Sequence, residues 1–144
     1  MGFKMKLTLQ DRSLYFKGLL LLIRKDRSIA DSERSLMMRI GKSLSFEKEF
    51  CETAIDDILK NEHITDTPPE FSDSNIAQYF ILDALILACS DGTLHANEEE
   101  WLKSVCLKNG LSESWFADKK RNASGHSIRD WNSVHLTVDT LTYT

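Results

Sequence analysis

Asp91-Gly-Thr-Leu-His-Ala-Asn-Glu-Glu-Glu100 separates two apolar stretches of different kind. Before it, Phe80 to Cys89 is apolar with little interruption. After it, Trp101 to Leu107 is amphipathic. An Asp-Gly pair followed by a run of acids reads as the turn of a helix–loop–helix. The acids then fall at the start of the second helix, where they complement its dipole. Asn97 is the expected N-cap, and Glu100 at the third helical position would complete a capping box.

The helix entering this turn is expected to start at Asp73 or Ser74, both suited to N-capping. From Ile76 to Cys89 it is apolar almost all round, which marks a buried central element. Asp83 is the exception, and a buried carboxylate needs a donor, a cation or a gap in the packing. The helix leaving the turn buries Trp101, Leu102, Val105 and Cys106, and Gly110-Leu111 reads as a Schellman stop. Ser112 restarts a short helix through Trp115 and Phe116.

Upstream, Pro68-Pro69 are the only prolines and sit in a linker, Asn61 to Ser72, that divides the chain into two helical halves. The first half predicts a helix over about 9–25, with Leu14, Leu19, Leu22 and Ile23 inside. A second helix follows Ser32 and buries Leu36, Met37, Ile40 and Leu44. A third follows Ser45, with Phe46, Phe50, Ala54, Ile55, Ile58 and Leu59 at helical spacing. Beyond Gly125, Ser127 with Asp130 resembles another capped start. Ile128, Trp131, Val134 or His135, and Val138 continue at helical spacing, and the Thr-rich end from Leu136 to Thr144 is expected to fray or turn extended. The fold class is all-α, a helical bundle of about six to seven helices in one domain spanning 1–144.

Composition bounds the function. Hydrophobic residues make up 42% and charged residues 28% of 144, ordinary values for a globular domain with a real core. A formal net charge of −4 argues against nonspecific nucleic-acid binding. Leu14 to Ile23 is too short to cross a bilayer, is broken by Lys17, and lacks a cleavage site, so neither membrane insertion nor a signal peptide is expected. Cys51, Cys89 and Cys106 have no close pair in sequence and read as buried, reduced thiols, which suits a cytoplasmic protein.

An offset of 65 residues aligns Asp26 with Asp91 and Glu33 with Glu98. It also aligns Leu20 with Leu85, Leu22 with Leu87, Ile29 with Leu94 and Ile40 with Val105. Each half, about 9–60 and 73–121, reads as apolar helix, acid, loop, cap, acid, amphipathic helix. The expected architecture is two helical hairpins related by an approximate twofold, with 122–144 as an extra C-terminal segment.

The motif from Ala84-Leu-Ile-Leu-Ala-Cys-Ser-Asp-Gly-Thr-Leu94 through Glu98-Glu-Glu-Trp-Leu102 to Gly110-Leu-Ser112 resembles the tellurite-resistance TerB-like family. The resemblance covers roughly residues 10–120 and is close only in the second half. In the first half Arg27 stands where the family has glycine, and the tail from Asn122 has no counterpart. The resemblance implies an all-helical bundle in a bacterial protein linked to tellurite or general stress response, without catalysis. It also implies a surface cluster of acids for divalent cations. Those acids would be Asp91 and Glu98, with Asp26 and Glu33 as weaker partners.

Read as an EF-hand, Asp91-Gly92 and Glu98 match positions five, six and twelve. Positions one and three would be Leu87 and Cys89, which offer no side-chain oxygen, so a conventional EF-hand is rejected. A weaker site would need both loops to bring Asp26, Glu33, Asp91 and Glu98 to one hydrated Ca²⁺, Mg²⁺ or Zn²⁺, with Asp83 adding a carboxylate if the helix faces agree. Turn and cap roles are each sufficient to account for these acids and are favoured over ligation. No phosphate loop, nucleophile elbow or zinc-ligand spacing occurs. The expectation is a non-enzymatic module acting on an unknown protein partner, with Trp131 either a docking residue or a cover for the bundle. The alternatives are a metal-dependent sensor, and a hydrolase that would need a deep pocket at Asp83 or His95.

Overall fold

Six consecutive residues, Gly18 to Ile23, are buried at the end of the first helix, so this helix presents no polar face there. Only a position at the centre of a bundle satisfies such a segment. The computed structural model describes residues 6–24, 29–61, 63–89, 94–123, 135–140 and 142–143. Among them the architecture is all-helical, with six α-helices. These are α1 (Leu9–Ile23), α2 (Asp31–Ser43), α3 (Lys48–Lys60), α4 (Ser74–Ala88), α5 (Ala96–Lys108) and α6 (Glu113–Ala123). A two-residue strand, β1 (Lys6–Leu7), pairs in parallel with β2 (Thr142–Tyr143).

The two most apolar helices, α1 and α4, pack on each other at the centre. Helices α2 and α3 flank α1, and α5 and α6 flank α4. The core is continuous across both halves, from Leu7 and Tyr15 through Ile40 and Phe80 to Phe116 and Val138. No helix among the described residues is long and apolar enough to cross a membrane.

The helical frame repeats at the offset read from the acids. Adding 65 to the bounds of α1 gives those of α4, and the same shift takes α2 onto α5 and the start of α3 onto the start of α6. The stops repeat as well. After α2, Ser45 has φ 65°, and the Phe46 N–H reaches the Gly41 carbonyl at 2.9 Å. After α5, Gly110 has φ 74°, and the Leu111 N–H reaches the Cys106 carbonyl at 2.8 Å. Both are Schellman closures, and the left-handed residue is glycine in only one of them.

The helix starts differ from the sequence reading. The N-caps are Ala30 and His95, each two residues before the expected Ser32 and Asn97. Neither supplies a side-chain cap. Instead the glutamate at the third helical position reaches back. Glu33 Oε1 accepts the Ala30 N–H at 3.0 Å, and Glu98 Oε1 accepts the His95 N–H at 3.1 Å.

The linker is a pinned strap. Trp101 Nε1 donates to the Asp66 carbonyl at 2.7 Å, and Asn109 Nδ2 donates to the Pro69 carbonyl at 2.8 Å. Arg24 holds the Ile64 carbonyl at 2.8 Å and pairs with Asp66. The helix expected from Ser127 falls largely on residues 124–134, outside the described residues. Its end is described: Thr137–Thr140 form a 3-10 turn. Leu136 and Val138 lie fully buried in the core.

Candidate functional site

Of the five acids nominated from the sequence, Asp26 and Asp91 lie outside the described residues. Glu33 and Glu98 occupy equivalent first turns, and each gives an oxygen to its own helix N-terminus. Glu98 is almost wholly buried at 1% exposure, while Glu33 is half-buried. Among the described residues no group of three or more His, Cys, Asp or Glu side chains is placed to hold a metal.

Asp83 sits elsewhere, facing the C-terminal segment. Its Oδ2 accepts the Tyr15 hydroxyl at 2.5 Å and the Val138 N–H at 2.9 Å. Its Oδ1 accepts the Thr137 N–H at 2.6 Å. The buried carboxylate that α4 carries is therefore met by three protein donors from two distant segments. Burial pushes its pKa up to about 6 against the pull of these three hydrogen bonds, and nearby Asp139 adds to the rise. Tyr15 is itself pushed well above the ordinary phenol value, first by burial and then by the Asp83 charge. An ionised Asp83 and a neutral Tyr15 are the mutually consistent pair near pH 7.

Asp139 extends the network outward. Arg39 of α2 donates to one of its oxygens at 2.5 Å, and Ser43 Oγ donates to the other at 2.5 Å. The segment from Leu136 to Asp139 is thus stapled across α4 and α2. A second buried acid, Asp11, does the same for the strap. It accepts Thr8 Oγ1 at 3.0 Å, the Ser72 N–H at 3.1 Å and Ser72 Oγ at 2.6 Å. Sequence reasoning singled out Asp83 because it interrupts an apolar helix. It missed Asp11, Tyr15, Arg39 and Asp139, whose partners lie far along the chain. A Thr-x-x-Asp start at Thr8 was the one local signal for Asp11.

The cysteines are buried and in no disulfide. Burial raises Cys51 above the ordinary thiol value and pushes Cys106 up to about 12, which suppresses the nucleophilic thiolate.

Among the described residues, two concavities border α1. The larger, about 730 Å³, lies between the outer face of α1 and the Pro68-Pro69 strap, with Lys17 and Lys108 on its walls. The second, about 280 Å³, is an apolar cleft between α1 and α3. Phe16, Phe46, Phe50, Ile58 and Ile64 are among its lining. Phe46 and Phe50 meet at a tilt of 38° with centroids 5.1 Å apart, and Phe50 remains 53% exposed.

Comparison with known proteins found no matching family model, no matching curated protein and no matching solved structure.

Proposed function

We propose that this chain is a non-enzymatic TerB-like helical module of tellurite or general stress response. It acts through protein interaction, with weak divalent-cation binding as an accessory property. The observation that carries the reading is the recurrence of the helical frame at 65 residues, with Glu33 and Glu98 at the same position of equivalent helices. The resemblance implies an all-helical bundle with a cluster of acids, and the duplicated hairpin is the reading of the 65-residue offset.

Reciprocal contacts at the centre support a twofold relation between the halves. Tyr15 and Phe80 are 65 apart and meet edge to face, with centroids at 5.4 Å. Gly18 and Asp83 are also 65 apart. Gly18 packs under the Phe80 ring, and Asp83 binds the Tyr15 hydroxyl. Position 18 against 80 and position 83 against 15 are one contact seen from both sides, as an isologous interface requires.

The cation part of the proposal places Asp26, Glu33, Asp91 and Glu98 around a hydrated ion. A carboxylate has about four lone-pair sites, so a cap bond to one oxygen is compatible with ligation. Asp83 is left out of this set, since its oxygens serve Tyr15, Thr137 and Val138.

Calorimetric titration of the metal-free protein with Ca²⁺, Mg²⁺ and Zn²⁺, beside Asp91→Asn and Glu98→Gln, tests it. Glu98→Gln keeps an oxygen for the His95 N–H and removes the charge. A saturable heat lost in both variants is expected. No heat in the unaltered protein would leave these acids as turn and cap residues and remove the cation from the reading. A change in hydrodynamic radius on saturation would turn the module into a metal-dependent sensor.

A further inference from the structure

We infer that the apolar cleft between α1 and α3 is a docking groove for one amphipathic helix of a partner protein. This rests on the reading of the chain as an interaction module and supplies its binding face.

The two halves differ at this face. In the second half, the positions 65 residues beyond Phe50 and Ala54 are Trp115 and Lys119. There the Lys119 ammonium lies over the Trp115 ring, 5.9 Å from its centroid, so the chain covers its own aromatic surface. In the first half position 54 is alanine, and the cation over the aromatic cluster is Arg12, 5.9 Å from the Phe46 centroid, which leaves Phe50 exposed. Phe50 stays half exposed above a floor of Phe16, Leu20 and Ile58, all buried.

Size and charge choose the occupant. A cavity of about 150 Å³ takes one benzene ring, so about 280 Å³ takes two bulky side chains. A helix presents two such anchors one turn apart, at i and i+4, and laying its apolar face between two flanking helices is an established mode of recognition. Lys17 on the α1 rim and Asp57 on the α3 rim have opposite charge, and neither forms an ion pair among the described residues. A single anionic headgroup would pair with Lys17 and leave Asp57 without a counterpart. A helix satisfies both rims with an acid on the side facing α1 and a base on the side facing α3.

The test is selection of a phage-displayed library, built on a 20-residue alanine-rich helix with randomised anchor and flank positions, against the full chain. Enriched peptides are expected to carry Leu, Phe or Met at i and i+4, with an acidic and a basic flank. Their binding, read by fluorescence anisotropy, should weaken at least tenfold against Ala54→Lys and against Phe50→Ser. Two variants of matching circular dichroism separate groove loss from misfolding. The double variant Lys17→Glu, Asp57→Lys should prefer the opposite flank charges. Peptides that bind Ala54→Lys and Phe50→Ser undiminished would overturn the groove while leaving the interaction reading intact. A library without enrichment would overturn both. Sedimentation as a dimer abolished by Ala54→Lys would assign the groove to a second copy, and saturable decanoate binding lost in that variant would assign it to a small amphiphile. Either result overturns the proposal.

Discussion

A carboxylate sealed from water is held ionised by donors or neutral by a proton, and Asp83 stands between the two. Its pKa of about 6 lies above the unfolded value of 3.8, so the folded state binds the proton more tightly than the unfolded chain. Stability contributed by this group is therefore fully present below pH 4 and is lost as pH rises through 6. The size of the effect is about 3 kcal/mol, because each pKa unit corresponds to about 1.4 kcal/mol. Urea melts from pH 4 to 7 should show this loss in the native sequence. Asp83→Asn removes the slope, although it lowers stability at every pH by turning an amide donor toward backbone N–H groups. Tyr15→Phe withdraws one donor from the anion and should move the titration upward, at a cost of about 1–2 kcal/mol at pH 7. A slope unchanged in Asp83→Asn would assign the titration to another group. The sequence marked Asp83 as requiring a partner. It could not name Tyr15 or the Thr137 and Val138 amides, since no local pattern links residues 68 and about 55 positions apart.

At the level of the helix, the equivalent ends of α2 and α5 give a matched comparison. Both require a left-handed residue, Ser45 and Gly110. A side chain in that conformation costs about 1 kcal/mol, so Ser45→Gly should raise the unfolding free energy by about that amount, and Gly110→Ala should lower it comparably. A Ser45→Gly variant of unchanged or reduced stability would show that the Ser45 side chain compensates for its backbone. The starts of the same helices show where sequence reading fell short. Ser32 and Asn97 are short polar residues of the kind that favours the cap position. The chain instead caps from inside with Glu33 and Glu98, which lets the helices begin two residues earlier, on Ala30 and His95. Acid spacing, read as a ligand pattern, was thus also a capping pattern. Glu98→Ala should cost about 1 kcal/mol or somewhat more, because its site is buried, and Glu98→Gln should cost less. The apolar runs Gly18 to Ile23 in α1 and Phe80 to Cys89 at the end of α4 were legible, since a segment with so little polar surface has one place to go.

Across the whole molecule, the two halves meet through α1 and α4 and are then locked by segments that lie outside the hairpins. At Gly18 the halves approach closely. A methyl there would stand 2.7 Å from the Phe80 ring and 3.3 Å from Pro69, so Gly18→Ala must push the halves or the strap apart, costing about 1–3 kcal/mol. Small as the substitution is, it should open the interface between halves before it disturbs either hairpin. Hydrogen exchange accelerated in α1 and α4 ahead of α3 and α6 would show that order, and a uniform change would refute it. The C-terminal segment is the second lock, and its role was the least legible. A Thr-rich tail gives a weak periodic signal, and its value comes from what it covers. Leu136 and Val138 are fully buried, their neighbours' amides satisfy Asp83, and Asp139 ties the turn to Arg39 and Ser43 of α2. Ending the chain after Val134 removes two core side chains, on the order of 4 kcal/mol, and strips two donors from a buried carboxylate. For a domain stabilised by about 5–15 kcal/mol, that loss takes a large share of the whole. The truncated chain should therefore melt well below the full one, or stay unfolded. Asp83→Leu in the truncated chain should recover part of the loss, because it removes the orphaned charge as well as the need for the amides. Failure of that rescue would mean that the segment stabilises the bundle by apolar cover alone.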